Sequence, residues 1–471
     1  MLFNSFEFLL FLLVVWGIYY LKWLNRFQVF ILIAGSFVFY AWQFPWYLLL
    51  LLLSAAINVA VSYKVVFTEN MAVRKWWASG GVVVNLLLLS FFKYSSLISL
   101  TFLDPATNMG AFLLHIPLPI GISFFSFEGI TLVVDVFKER KNEKLTSIVP
   151  ASIIKHSSNV LLFITFFPHL IAGPILKAHD FIPQINSKKL KNINWIYCFK
   201  HLVIGYFLKM VIADNLKDQT FLLQYPFFEE KSSFILFLLL LGYSVQIFAD
   251  FAGYSLIALG LAGLFGYRLE ENFNFPYIST SFSEFWRRWH ISLSTFLKEY
   301  LYIPLGGNRK GNIRTYINLM TTMLLGGLWH GAAWSYAVWG GFHGAALAFE
   351  RFVQNKIRLP KWKVLQIVKM VLIFSFVSFA WLLFKLPEFN HVILYLKSFL
   401  RNSNLRSDPG IVFYILFYSI PVFIFHLLYL LRNSVFYLFF FKKIEFIWYG
   451  ILVFFILTNS GSSGSFIYFQ F

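Results

Sequence analysis

The stretch "LLGGLWHGAAWSYAVWGGFHGAALAFE", residues 324–350, reads as membrane interior, yet it carries two histidines, His330 and His343. An ionisable side chain at that depth is expensive and is by default a functional candidate. Gly326, Gly327 and Gly331 surround His330, so another backbone or a substrate can approach it closely. Arg309, Lys310 and Arg314 precede the segment; Arg351, Lys356 and Arg358 follow it. Basic residues mark the cytoplasmic face, so residues 316–349 are expected to enter the membrane and return to that face. Irregular backbone at membrane depth is tolerated only where protein or a water-filled cavity covers it, which implies an internal chamber. His330 and His343 lie about 220° apart around a straight helix, so no metal pair is expected. For His330 a chemical role and an interhelical hydrogen bond both stand; for His343 the hydrogen bond is the plainer reading.

The rest of the chain fits this setting. Of 471 residues, 59% are hydrophobic and only 13% charged, against roughly 25% charged in a soluble protein. That leaves too little polar surface for a water-soluble body. The net charge of +18 falls in short loops between apolar runs. It therefore points to membrane topology and anionic lipid headgroups and not to nucleic acid. Runs of about 20 apolar residues occur near 2–21, 27–42, 45–67, 76–98, 117–137, 195–213, 233–265, 364–386, 410–431 and 445–458. The expectation is an all-α polytopic integral membrane protein of about ten transmembrane helices, with re-entrant segments around a central chamber. The first run is read as a retained span. Lys22 and Arg26 follow it, Lys64, Arg74 and Lys75 follow the third, and Lys138, Arg140, Lys141 and Lys144 follow the fifth. The loops between carry no Lys or Arg, which puts the N-terminus outside. One membrane domain over 1–471 is expected, with N-terminal spans in 1–100, a motif-bearing core in 117–350 and C-terminal spans in 360–458.

"FITFFPHLIAGPI" (163–175) is a second expected re-entrant segment, with His169 holding its bend. "GISFFSFEGITLVVDVF" (121–137) places Glu128 deep in an apolar helix and Asp135 near its cytoplasmic end. "SVQIFADFAGYS" (244–255) puts Gln246 and Asp250 on one helix face, where Asp250 can orient a histidine or pair with an arginine. The lone Cys198 excludes an internal disulfide and reads as a packing residue. The polar tail 458–466 is assigned no chemistry.

"FWRRWHISLS" (285–294) is too polar to span and too aromatic to be a free linker. Ser281 or Ser283 can cap a helix there, with Glu284 in its first turn. In a continuous helix Trp286, Trp289 and His290 would share a face, leaving Arg287 and Arg288 for headgroups or an anionic ligand. An interfacial amphipathic helix with snorkelling arginines accounts for the same residues. The chain has no G-x-x-x-x-G-K-[ST], H-E-x-x-H, C-x-x-C or G-x-S-x-G pattern, which removes support for nucleotide hydrolysis, zinc catalysis and serine hydrolases.

Six stretches occur in one order from residue 121 to 344: "GISFFSFEGITLVVDV", "FFPHLIAGPI", "IFADFAGYS", "ENFNFPYIS", "FWRRWHISLSTFLKEYLYIPLGGNR" and "GGLWHGAAWSYAVWGGFHG". Together they resemble the membrane-bound O-acyltransferase family, in its bacterial polysaccharide O-acetylation branch. The resemblance implies that His330 is the intramembrane catalytic histidine and His290 its second motif histidine. Arg287, Arg288, Trp289, Asp250 and Trp329 are candidate donor- or substrate-binding residues. It further implies acetyl-CoA as acyl donor, with no bound cofactor or metal, and an extracytoplasmic polysaccharide as destination. A separate extracytoplasmic acetyltransferase would be the protein partner, membrane lipids the surroundings, and the bacterial cytoplasmic membrane the location. Where the family pattern usually has Ser and Asp in the "DFSGYSDMA" region, this chain has Ala252 and Leu256, which weakens roles carried over to that helix. A sister branch transfers D-alanine to teichoic acid. A non-catalytic glycan or lipid transporter also suits broken helices with polar groups at mid-depth.

Overall fold

The computed structural model of the chain describes residues 1–138, 148–171, 173–357, 360, 362–434, 437 and 443–462. Arg140, Lys141, Lys144 and Arg358, counted above for topology, and tail residues 463–466 lie outside them. Among the described residues all regular structure is helical. Seven helices are long and apolar enough to cross a membrane: Lys22–Ala41, Tyr47–Phe67, Met71–Phe102, Trp195–Leu223, Ser233–Leu264, Lys363–Lys385 and Pro409–Leu431. The three other expected spans form shorter helices, Phe6–Tyr19, Ile122–Lys138 and Glu445–Thr458. The chain is a multi-pass membrane protein.

It divides into two compact units. The first comprises Met1–Leu202 with Ile257–Glu270. Several of its interior polar groups meet one another or the backbone. Asn58 and Asn85 exchange amide hydrogen bonds of 3.1 and 2.9 Å, and a side chain at Gly129 would strike both. Arg74, expected as a topology marker, is buried instead. Its guanidinium donates to the carbonyls of Val65, Val136 and Phe137 at 2.7–3.0 Å. Those carbonyls end helices Tyr47–Phe67 and Ile122–Lys138, so the positive charge meets two negative helix ends. Between Ile153–Thr165 and Ala178–Phe181 the described residues form no regular helix. In that bend the Gly173 amide donates to the His169 carbonyl at 3.0 Å, and the His169 ring pairs with Glu128 at 3.1 Å. Asp135 holds His179 at 2.7 Å.

The second unit comprises Val203–Leu256 with Glu271–Phe471. At its centre is a helical hairpin: Asn312–His330, an extended link Gly331–Ala333, then Trp334–Lys356. This is the expected entry and return of residues 316–349. The two arms pack antiparallel through small residues. A side chain at Gly327 would strike the Tyr336 carbonyl and Gly340, and one at Gly340 would strike the Met323 carbonyl. Such approach is how apolar helices gain contact in lipid, where burial alone offers no driving force. The glycines beside His330 thus bring helix to helix. The hairpin's two outer ends carry the basic residues, and its tip follows directly on His330.

Candidate functional site

His290 and His330 come from separate segments and meet in the second unit, their ring centroids 6.4 Å apart. His330 is the last residue of its helix and is 3% exposed. The edge of its ring meets Trp339 at 5.1 Å and Phe384 at 5.5 Å. Trp329 lies beside both histidines, 5.1 Å from His330 and 5.7 Å from His290. Phe251 meets His290 edge-on at 4.6 Å.

The local structure around His290 departs from the single amphipathic helix expected of 285–294. Helix Phe282–Arg288 stops at Arg288, and His290 adopts the left-handed conformation (φ 42°) before Ile291–Phe296 begins. Trp286, Trp289 and His290 therefore do not share one helical face. A non-glycine residue held there costs about 1–3 kcal/mol, so neighbouring contacts must fix it. Asn272 provides several. Its carbonyl accepts from the Ile291 amide at 2.9 Å, and its Oδ1 accepts from the Ser292 hydroxyl at 2.6 Å. Its Nδ2 donates to Ser255 Oγ at 3.1 Å. Bonds of this kind contribute about 1 kcal/mol each, enough to offset the strain. Trp289, fully buried, stacks on Phe285 at 5.6 Å and packs against Trp381 at 4.9 Å. It fixes the turn from behind.

The first part of the motif folds as its sequence suggests. Ser281 is the cap: its hydroxyl accepts from the Glu284 amide at 3.0 Å, while Glu284 accepts from the Thr280 amide at 2.9 Å. Glu350 adds a second carboxylate at this helix start, accepting from Phe282 N and the Ser283 hydroxyl. The two arginines separate. Arg288 is committed to the protein, donating to Glu284 at 2.9 Å and to the Asn274 carbonyl at 2.9 Å. Arg287 is exposed.

This unit holds two cavities, one of which touches His330. One, of about 170 Å³, is lined by His330, Trp286, Trp339, Leu297, Met323 and Thr322, and reaches Lys298 and Tyr302. It is almost wholly apolar. The other, of about 480 Å³, is lined by charged and amide groups together with Ala332, Ala333 and Tyr336 of the hairpin tip. Tyr336 packs on Phe384 at 5.1 Å, and Phe384 packs on His330. Ring contacts thus run from His330 through Phe384 to Tyr336 on the wall of the polar cavity. Asp250 lies in that cavity and pairs with Lys209. Lys209 also binds Asp214, both contacts at 2.7 Å. Gln246 lines the same cavity, as its shared face with Asp250 predicts.

Lys209 escaped the sequence reading, although a lysine inside the apolar run "YFLKMVIA" (206–213) carries the signal that singles out His330. It sits in a π-helical turn, Phe207–Ala213, a distortion often found at functional sites. Asn272 and Phe384 had no such signal. His343 is fully buried in an aromatic cluster with Phe285, Trp286 and Trp339. It makes no interhelical hydrogen bond among the described residues. The tail is held as far as it is described: Gly461 N donates to Met210 O at 2.9 Å, and Lys217 donates to Ser462 O at 3.2 Å. No cluster of three or more potential ligands for a metal ion exists among the described residues.

Comparison with known proteins places this arrangement. The chain is 40% identical over 394 residues to the probable alginate O-acetylase AlgI of Pseudomonas aeruginosa, covering 82% of this chain and 72% of that protein. It is 35% identical over 388 residues to a peptidoglycan O-acetyltransferase of Helicobacter pylori, covering 78% and 72%. A teichoic acid D-alanyltransferase of Bacillus subtilis is 29% identical over 286 residues, covering 58% and 70%. Residues 122–390, which hold both histidines, the hairpin and most of the lining of both cavities, match the family profile. The chain therefore belongs to the membrane-bound O-acyltransferase family, and is an acyltransferase.

Proposed function

We propose that this protein takes an acetyl group from a cytoplasmic donor, acetyl-CoA, and delivers it across the bacterial cytoplasmic membrane for O-acetylation of an extracytoplasmic polysaccharide. A separate extracytoplasmic acetyltransferase completes the transfer, and the N-terminus of this chain lies outside. The observation that carries the reading is the meeting of His330 and His290, two rings from distant segments, with His330 on the wall of an apolar cavity. By the positive-inside pattern the apolar cavity opens toward the basic hairpin ends and the polar one lies at the opposite face. Donor and acceptor would thus reach His330 from opposite sides. Sequence identity favours acetyl over D-alanyl transfer, since the O-acetylating relatives match more of the chain and match it better.

The chemistry follows from these positions. His330 takes the proton of the acceptor hydroxyl as its oxygen attacks the thioester carbonyl. The C–S bond then breaks, and the proton passes from His330 to the leaving thiolate. His290, held rigid by Asn272, orients the donor and steadies the negative charge developing on the carbonyl oxygen. Trp329 and Trp289 keep the two rings in register. Arg287 is free to meet the donor's phosphates, whereas Arg288 braces the helix that carries it. Asp250, with Lys209 and Asp214, shapes the acceptor side.

Inside-out membrane vesicles containing the protein test the whole reading. Labelled acetyl-CoA added outside should transfer label to glycan or partner protein enclosed in the lumen. A transporter with no chemistry of its own would move its cargo without acetyl-CoA. No labelled product, with the protein present and the lumen supplied, contradicts the proposal.

A further inference from the structure

In the first unit two glutamines fasten three basic segments together at the ends of apolar helices. Gln28, buried directly after the turn Lys22–Phe27, donates from Nε2 to the Lys188 carbonyl at 3.0 Å and accepts on Oε1 from the Lys188 amide at 2.8 Å. Gln184 treats Arg268 the same way, donating to its carbonyl at 3.0 Å and accepting from its amide at 2.9 Å. Tyr20 donates to the carbonyl of Leu264, the end of helix Ser233–Leu264, at 2.9 Å. Six cations ride on these segments: Lys22, Arg26, Lys188, Lys189, Lys191 and Arg268. None of them forms an ion pair among the described residues. The carboxylates of the same stretches are Asp180, 3.4 Å from His179, and exposed Glu270, so positive charge is in excess.

Lys188 is set in place by its surroundings. Gly266 has φ +81°, and a side chain there would fall 3.1 Å from Cγ and Cδ of Lys188. The bare glycine thus makes room for the lysine stem. The ammonium rests 4.8 Å from the ring centroid of Tyr267, the residue before Arg268. Two cations with pinned backbones therefore adjoin one buried ring. Beside them Trp23, Phe27, Leu190 and Trp195 expose large apolar surfaces. Basic residues mixed with exposed tryptophans at span ends are the composition of the headgroup level. Cations ordered in advance lower the entropic cost of taking up an anion.

We infer that this corner of the first unit is a binding site for an anionic phospholipid, with the phosphate held by Lys188 and Arg268 and the acyl chains lying along the apolar side chains beside them. Basic pockets at the ends of membrane helices take such headgroups. A free phosphate would meet the cations but leave Trp23, Phe27, Leu190 and Trp195 uncovered. The bound lipid would join the N-terminal turn, segment 182–194 and the end of helix Ser233–Leu264.

The test uses the full-length protein in a neutral detergent, titrated with phosphatidylglycerol, phosphatidylcholine or inorganic phosphate, with bound lipid counted by native mass spectrometry. Wild-type protein should bind phosphatidylglycerol at least about fivefold more tightly than phosphatidylcholine, the usual worth of one basic residue near a headgroup. Lys188→Gln and Arg268→Gln should each weaken phosphatidylglycerol by about that factor and leave phosphatidylcholine unchanged. Lys397→Gln, at an exposed lysine of the second unit, should alter neither. Gly266→Ala keeps every charge but displaces the Lys188 stem, so it too should weaken phosphatidylglycerol; if that variant does not fold, Lys188→Gln still decides. Excess inorganic phosphate should not displace the lipid. Equal binding of the two lipids by wild-type protein overturns the inference. So does a loss in Lys397→Gln as large as in Lys188→Gln and Arg268→Gln, which would mark diffuse charge attraction, or displacement by phosphate, which would mark a site for the free ion.

Discussion

Each compact unit buries a histidine completely in apolar surroundings, and the two are held in opposite ways. In the first unit His169 lies against Glu128 at 3.1 Å, both side chains fully buried. Its ring also reaches the Phe163 carbonyl at 3.2 Å. Its surroundings are an irregular bend that the pair fastens. In the second unit His330 and His290 face each other's neighbourhood across 6.4 Å, ringed by Trp329, Trp339, Phe384 and Phe251. His330 also lines a cavity. Burial alone therefore does not identify a reacting histidine. The distinction is between a ring whose charge partner is built in and a ring that opens onto space for a substrate.

That contrast predicts different consequences for the two places. The largest effect should come from His330→Ala, which removes a positioned base and with it about 10²- to 10⁴-fold in rate; acetyl transfer per molecule, measured in membranes where the variant accumulates normally, should fall by that much. Glu128→Ala should act on stability instead. Removing one member of a buried polar pair leaves the other unsatisfied at a cost of about 1–3 kcal/mol, which thermal unfolding in detergent would register, while the folded fraction keeps its turnover. A large loss of turnover per folded molecule would move Glu128 into the reaction.

The turn at His290 allows stability and activity to be separated at one position. Glycine tolerates the left-handed conformation, so in His290→Gly the relief of backbone strain offsets part of the cost of losing a buried ring, and the variant should still fold. Its transfer rate should nevertheless drop by about 10²-fold if the ring helps to stabilise the carbonyl oxygen. Full activity in this variant would reduce His290 to a packing residue. The smallest effect concerns the paired arginines. Arg287→Gln should raise the donor concentration needed by several-fold and lower its sensitivity to salt, whereas Arg288→Gln should lower the melting temperature through loss of its bonds to Glu284 and Asn274. Identical behaviour of the two would return both to the role of lipid anchors. A cysteine at exposed Asn308 should react with an impermeant thiol reagent only after the membrane is opened, fixing the face on which these arginines lie.

The helical membrane architecture was legible because lipid enforces it: a long apolar run has few alternatives to a helix. His330 was legible for the same reason, as an ionisable group in an apolar setting. The break at His290 was not. Local spacing in "FWRRWHISLS" favours a continuous helix, and the left-handed turn is held by distant groups, among them Asn272, eighteen residues earlier. Asp250 was visible as a buried charge, but its partner was not, because pairing with Lys209 spans forty-one residues. Arg74 shows the same limit: its place after a span was legible, but its three carbonyl partners at two helix ends were not. Tertiary contacts that join distant segments leave no periodic trace, and those are the ones that build the site.

The comparison between the two buried histidines is tested most directly by glutamine, which preserves hydrogen bonding but cannot exchange a proton near neutral pH. His330→Gln and His169→Gln should be assayed side by side for labelled acetyl transfer in inside-out vesicles, at matched membrane abundance. The expected result is transfer lost in His330→Gln and retained, per folded molecule, in His169→Gln. Normal transfer by His330→Gln would contradict the account, because a side chain that only donates and accepts hydrogen bonds would then suffice at the site assigned to the base.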